Sequence, residues 1–322
     1  MKSITKKLVV VLGPTSSGKT SLGLEIAKKL NTEIISSDSR QFYKELKIGS
    51  APPSQIELET IKHHFIQHLS ICDNYSIGQF EKDAIKKITN LFKKHDILLM
   101  IGGSGLYIDA VCDGIDSIPK TPKNIRDRIN LKFEKKGLEW LNSKVERIDP
   151  QFYNHVDTNN PQRLKRCIEV FETTGKQISS YYNKARKKRN FEIIKIGIST
   201  ERNKLYKKIN ERVDLMIKNG LIEEVKSLLK YRDHNALKTV GYKELFNYFD
   251  KNCSKEFAVN EIKKNTRRFA KRQMTWFRKD KKIKWFVHLQ GKILSSSIEY
   301  SEHNFYTGNW EFMQFQTDFE AS

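Results

Sequence analysis

Five consecutive apolar residues, Leu8–Leu12, run straight into a glycine, and helical spacing takes over shortly afterwards (Leu22, Ile26, Ala27, Leu30). A continuous apolar run bounded by turn residues is the pattern of a strand buried on both faces. The pattern then repeats. Glu33–Ser36 reads as a short strand ending at Asp38, helical patterns cover Ile56–Ile61 and Phe80–Lys94, and Ile97–Ile101 is a third apolar strand followed by a helix-like "LYIDAV". Strands alternating with helices predict a parallel α/β sheet. From residue 120 to 190 no strand is predicted, only helical stretches at Ile125–Lys136, Leu138–Arg147, Pro161–Thr174 and Gln177–Lys187. An apolar strand returns at 191–200 and helices follow through Lys279, while the aromatic stretch after Lys282 reads as irregular. The expected organisation is a core of residues 1–119 and 191–290, a helical insertion over 120–190 and a tail over 291–322.

Between the first strand and the first helix stands "GPTSSGKT", residues 13–20. This is the G-x4-G-K-T phosphate loop: backbone N–H groups turn onto phosphate oxygens at a helix N-terminus, Lys19 adds a mobile positive charge, and Thr20 can ligate Mg²⁺. Enzymes that hydrolyse ATP on such a loop carry an Asp on a later strand to hold the metal. Here that strand runs into Gly102-Gly103-Ser104. The missing acid argues against ATP hydrolysis and motor function and leaves open transfer to an acceptor, of phosphoryl or of another group carried on a diphosphate. Ligands of open parallel sheets sit beyond the carboxyl ends of the strands, where Asp38 and Ser104 are both expected. Asp38 reads as a general base, a metal contact or a helix cap, and Ser104 as a site hydroxyl or a cap. Adjacent His63 and His64 do not share a face, so they read as structural or solvated rather than as metal ligands.

Composition adds a partner. Lys and Arg number 59 against 38 Asp and Glu, a net charge of +21, which points to a polyanion. The four cysteines are scattered without a CxxC pair, which fits a reducing cytosol, and no apolar run is long enough to span a bilayer.

The motifs "GPTSSGKT", "SSDSRQFY", "IGSAPPS", "KHHFIQHLSI", "YSIGQFEKDA", "GGSGLY", "NPQRLKRCIEV", "TVGYKEL" and "RRFAKRQMTWFRKD" follow one another over residues 8–286. In order and spacing they resemble the tRNA dimethylallyltransferases (tRNA isopentenyltransferases). The resemblance implies a P-loop NTPase-like parallel sheet with helices on both faces and an all-helical insertion that clamps a tRNA anticodon stem-loop. The implied reaction moves dimethylallyl from its diphosphate to N6 of the adenosine 3′ of the anticodon, releasing diphosphate. Gly13, Pro14, Thr15, Ser16, Ser17, Gly18, Lys19 and Thr20 would hold the diphosphate with Arg212 and Mg²⁺, the metal at Thr20. Asp38 would be the general base, with Lys19 and Ser104 as the other catalytic groups. Residues implied to face tRNA are Asp38, Ser39, Arg40, Gln41, Ser104 and Arg126. With them come Gln162, Arg163, Leu164, Lys165 and Arg166 of "PQRLKR", and Lys238, Thr239, Val240, Gly241, Tyr242 and Lys243 of "KTVGYK". The enzyme is expected to be cytoplasmic and monomeric. Three departures stand out: Ser104 replaces the usual Thr, Pro52 the usual Lys of "IGTAKP", and Gln67 the acid of "HLID".

Overall fold

The computed structural model describes residues 6–182, 187–289 and 292–295. Two compact units emerge, one from the chain up to Cys112 together with the chain from Arg189, the other from Asp113–Lys188. In chain order the first unit holds β1 (Lys7–Leu12), α1 (Lys19–Lys29), β2 (Ile34–Ser36), α2 (Gln55–Thr60), β3 (His63–His64), α3 (Ile77–Leu91), β4 (Ile97–Gly102) and α4 (Gly105–Cys112). The second unit contributes α5 (Lys123–Ile148), α6 (Pro150–Tyr153) and α7 (Pro161–Thr174). The first then resumes with β5 (Glu192–Ser199), α8 (Arg202–Lys218), α9 (Leu221–Ser227), α10 (Tyr242–Phe249), α11 (Lys255–Phe277), β6 (Lys284–Leu289) and β7 (Lys292–Ser295).

The strands form one sheet in the order β3-β2-β4-β1-β5-β6-β7, parallel except for the β6–β7 pair. The alternation of side chains along β1 divides the core. Leu8, Val10 and Leu12 join Phe80, Ile88, Leu98, Met100 and Phe277 on one face, while Val9 and Val11 join Leu22, Ile26, Leu99 and Ile198 on the other. Helices thus cover both faces, which is why the central strand is apolar at every interior position. A second helical core gathers Val213, Leu221, Val225, Tyr242, Leu245 and Ile262 from α8 to α11. The Asp113–Lys188 unit has its own core around Ile129, Leu141, Val145, Leu164 and Ile168.

Elements and expectations differ at three places. The predicted stretches 125–136 and 138–147 are one assigned helix whose backbone leaves helical geometry at Gly137. Over Gln177–Lys187 the structure has a 3₁₀ turn at Ile178–Tyr181 instead of an α-helix, and residues 183–186 lie outside the described residues. Lys284–Leu289, read as irregular, is a strand that pairs in parallel with β5. Lys284 is the one polar residue between Ile283 and the apolar run Trp285-Phe286-Val287, too little alternation to mark a strand, and the partner that makes it one, Ile196–Ser199, lies far back in the chain. Most of the tail over 291–322 lies outside the described residues.

Candidate functional site

The loops that leave the carboxyl ends of β1, β2 and β4 meet at the centre of the sheet, where β1 lies between β4 and β5. After β1 the chain turns through Ser16 (φ 62°) and Gly18 (φ 90°) before α1 starts. Glycine at the second of these positions removes the Cβ clash of left-handed backbone and lets α1 begin on bare N–H groups. Lys19 Nζ donates to the Pro14 carbonyl at 2.6 Å. The hydroxyls of Ser16 and Ser17 are buried and have no hydrogen-bond partner among the described residues. Buried hydroxyls are normally paired, and an anion with several oxygens would satisfy them here.

Asp38 follows β2 into the same cavity, which has a volume of about 500 Å³ and is lined by Thr15–Ser21, Asp38, Arg40, Gln41 and Arg212. Asp38 Oδ1 accepts the Arg40 N–H at 3.1 Å in a local turn. The next helix is α2, capped by Ser54, so the helix-cap alternative for Asp38 does not hold. Its carboxylate is a counter-charge for three half-buried cations. Burial, the largest influence, pulls Lys19 down to about 8, with Asp38 pushing it back up and Arg212 pulling it further down. Burial likewise holds Arg212 and Arg40 below the usual arginine range, opposed in each by Asp38. Both guanidinium groups stay charged at neutral pH. Arg40 stacks over the Phe269 ring at 4.5 Å, which places Phe269 in the cavity wall and not in the core.

The Ser104 hydroxyl accepts the Ser39 N–H and shares a second hydrogen bond with the Ser39 hydroxyl, both at 3.2 Å. It therefore ties the turn after β4 to the turn after β2, while its backbone carbonyl starts α4. Gln41 donates to the Ala51 carbonyl at 3.0 Å, fixing the segment in which Pro52 stands. Val240 and Gly241 line the cavity; Lys238 and Lys243 are exposed.

Several expected RNA-facing residues have other surroundings. Tyr242 is fully buried and donates its hydroxyl to Glu224 at 2.6 Å. Within the Asp113–Lys188 unit, Leu164 is fully buried in the core because it falls on the apolar stripe of α7. Lys165 is turned inward onto Asn130 (2.9 Å) and the Phe133 ring, and Arg166 onto Thr121 and the Pro119 carbonyl. Gln162 and Arg163 are exposed, and Arg126 reaches Glu169 at 3.6 Å. His63 and His64 form β3, and His64 pairs with Glu33 at 2.6 Å.

Two residues that the sequence reading passed over stand out. Glu224 accepts the N–H groups of Lys47, Ile48 and Gly49 at 2.6–3.0 Å in addition to the Tyr242 hydroxyl. This carboxylate pins the loop that supplies Gly49, Ser50, Ala51 and Pro53 to the cavity. At about 1 kcal/mol net for each of the four bonds, Glu224→Ala should lose about 4 kcal/mol of unfolding free energy in urea, and Glu224→Gln less. Equal stability of all three proteins would show the loop to be held elsewhere. The other residue is Gln273, a polar position on the buried stripe of α11; that breach of the apolar pattern is its signal.

Comparison with known proteins identifies the family. The IPP transferase family matches residues 41–280. A tRNA dimethylallyltransferase of Christiangramia forsetii is 54% identical over 279 residues, covering 87% of this chain and 92% of the relative. The chain belongs to this family. A second tRNA dimethylallyltransferase, of Flavobacterium johnsoniae, is 46% identical over 287 residues, with 87% and 93% covered. Among solved structures, the tRNA isopentenylpyrophosphate transferase of Bacillus halodurans is 34% identical with a TM-score of 0.64, covering 88% of this chain and 90% of that one. The G-x4-G-K-T loop at residues 13–20 precedes the matched range, and Ser104 lies within it.

Proposed function

We propose that this chain transfers a dimethylallyl group from dimethylallyl diphosphate to N6 of the adenosine 3′ of the anticodon in tRNA, releasing diphosphate. The observation that carries the reading is one cavity holding the phosphate loop, Asp38 and Arg212 together with an apolar wall of Val213, Met216, Ile262 and Phe269. A ligand with a polyanionic head and a short branched hydrocarbon suits such a lining. The loop N–H groups, Lys19, Ser16, Ser17 and Arg212 bind the diphosphate and stabilise it as it leaves. Thr20 lines the cavity beside the loop and would hold Mg²⁺ through its hydroxyl; such an ion would offset the charge of the departing diphosphate.

The exocyclic amine of adenine is a poor nucleophile because its lone pair is delocalised into the ring. As the N6–C1 bond forms and the C1–O bond breaks, the amine must lose a proton, and Asp38, which lines the cavity beside the phosphate loop, would take it. The target base is stacked in the anticodon loop and has to be turned out to reach the cavity. The exposed Gln162 and Arg163 of the helical unit, and Lys264, Arg268, Lys271 and Arg272 along α11, are the groups offered to the RNA backbone.

The test mixes the protein with unmodified tRNA, AMP, labelled dimethylallyl diphosphate and ATP. Label on tRNA alone is expected; label on AMP alone, or phosphate transfer from ATP, would refute the reading. Ser104→Ala should lower kcat about tenfold and leave tRNA affinity within twofold, because the lost hydroxyl anchors Ser39 beside the base. Equal losses in both would assign Ser104 a folding role.

A further inference from the structure

The register of β1 with β4 ends at Leu12 and Gly102, and beyond it the two chains separate into the phosphate loop and the Ser104 turn. One side chain spans the gap. Gln273 of α11, 7% exposed, accepts the Thr15 N–H through Oε1 at 2.9 Å and donates through Nε2 to the Gly103 carbonyl at 2.8 Å. A Cβ at position 103 would stand 2.4 Å from Nε2, so the glycine there is what allows the amide to come so close. Only a primary amide offers an acceptor and a donor to these two partners at once; Glu would set a carboxylate against a carbonyl, and an apolar residue would leave both backbone groups unpaired.

The amide is also held from behind. Four residues on, Phe277 is buried in the sheet core, and Trp276 donates its indole N–H to Asp109 of α4 at 2.8 Å. Four residues back, Phe269 lies under Arg40. The hydrogen bonds then continue: Gly103 precedes Ser104, whose hydroxyl holds Ser39, the neighbour of Asp38. The cradle for the leaving group and the general base are thus opposite ends of one chain of bonds with Gln273 in its middle.

Resting on the function proposed above, we infer that Gln273 is a positioning residue of the transfer: it sets the separation between the diphosphate loop and the turn that aligns the base and the acceptor. Displacement in line with a leaving group is steep in geometry, and a misplacement of about 1 Å costs on the order of 10²-fold in rate.

The experiment compares Gln273→Met and Gly103→Ala with the unsubstituted chain. Binding of inorganic diphosphate is measured by calorimetry, and kcat and KM for both substrates are measured per diphosphate-binding site. Gln273→Met keeps the volume and removes both hydrogen bonds; Gly103→Ala pushes the same amide away from its other side and serves if the first variant folds poorly. For both, kcat is expected to fall about 10²-fold, while diphosphate affinity and KM for tRNA stay within about tenfold and threefold. A purely structural role would lower the fraction of binding-competent protein without changing kcat per site. Unchanged kcat per site in both variants, with an active unsubstituted chain, overturns this inference alone. An unsubstituted chain that binds diphosphate yet labels no tRNA overturns the proposed function and the inference with it.

Discussion

Asp38→Asn should bind inorganic diphosphate at least as tightly as the unsubstituted chain and transfer the prenyl group on the order of 10³-fold more slowly. The substitution is conservative for the fold. Asn retains an oxygen for the Arg40 N–H and leaves the bond from the Asp38 N–H to Ser36 untouched, so the turn after β2 has no reason to change. What it removes is the proton acceptor and the negative charge shared by Lys19, Arg40 and Arg212. With that charge gone the cavity is more positive, which favours an anionic ligand while denying the amine a base. Affinity and turnover are thereby driven in opposite directions, an outcome that general loss of structure cannot produce. Because Asp38 also pushes the Lys19 pKa up, the alkaline limb of diphosphate binding should move to lower pH in this variant. Turnover within threefold of the unsubstituted chain would remove Asp38 from the role of base.

The parts of the site that follow directly from a strand end were legible in the sequence. Gly13–Thr20 is readable because an apolar strand and a helix bracket it, and Asp38 and Ser104 because each stands just past an apolar run. Arg212 is different. It sits within a charged helix, and nothing in "INERVDLMIKNG" says that the guanidinium faces the cavity; the family resemblance supplied that expectation. Glu224 and Gln273 were missed because their backbone partners lie 170 to 258 residues away, and a backbone N–H or carbonyl leaves no trace in the sequence. The same blindness misplaced Leu164 and Tyr242. Both lie inside motifs that also contain exposed polar residues, yet each side chain falls on the buried face of its helix. A motif marks a stretch of chain, and the helical period decides which of its members can meet a ligand.

Arg40 and Phe269 show the same limit from the other side. An aromatic residue on a long basic helix reads as core, and Phe277 is core. Phe269, two turns earlier, instead carries the half-buried Arg40 guanidinium on its face at the cavity. Stacking of this kind desolvates the cation without leaving it unpaired. It helps keep Lys19, Arg40 and Arg212 together around Asp38, a charge excess suited to a ligand that arrives with its own negative charge.

Lys19 shows what that excess costs when no anion is bound. Lys19→Met should lower kcat/KM for dimethylallyl diphosphate on the order of 10²–10³-fold, the loss expected when one group that stabilises developing charge is removed. It should also abolish a pH dependence. Lys19 ionises at about 8, so the free protein passes from ammonium to amine between pH 7 and pH 9. Bound diphosphate stabilises the ammonium and raises its pKa, so the affinity of the unsubstituted chain should fall roughly tenfold over that interval, with protons taken up on binding. Stability has the opposite sign. The native pKa lies below the unfolded value of 10.5, so between about 8 and 10.5 the unfolded chain holds more protons and the unfolding free energy rises with pH. Below pH 8 the penalty of the buried ammonium is fully present, about 3 kcal/mol at most. Lys19→Met should therefore be more stable than the unsubstituted chain at pH 7 without ligand and bind diphosphate far more weakly. Calorimetry between pH 7 and pH 9 checks the first dependence and urea unfolding the second. If the Met variant kept the alkaline fall in affinity, the titrating group would be another one, and the low pKa of Lys19 would have no part in binding.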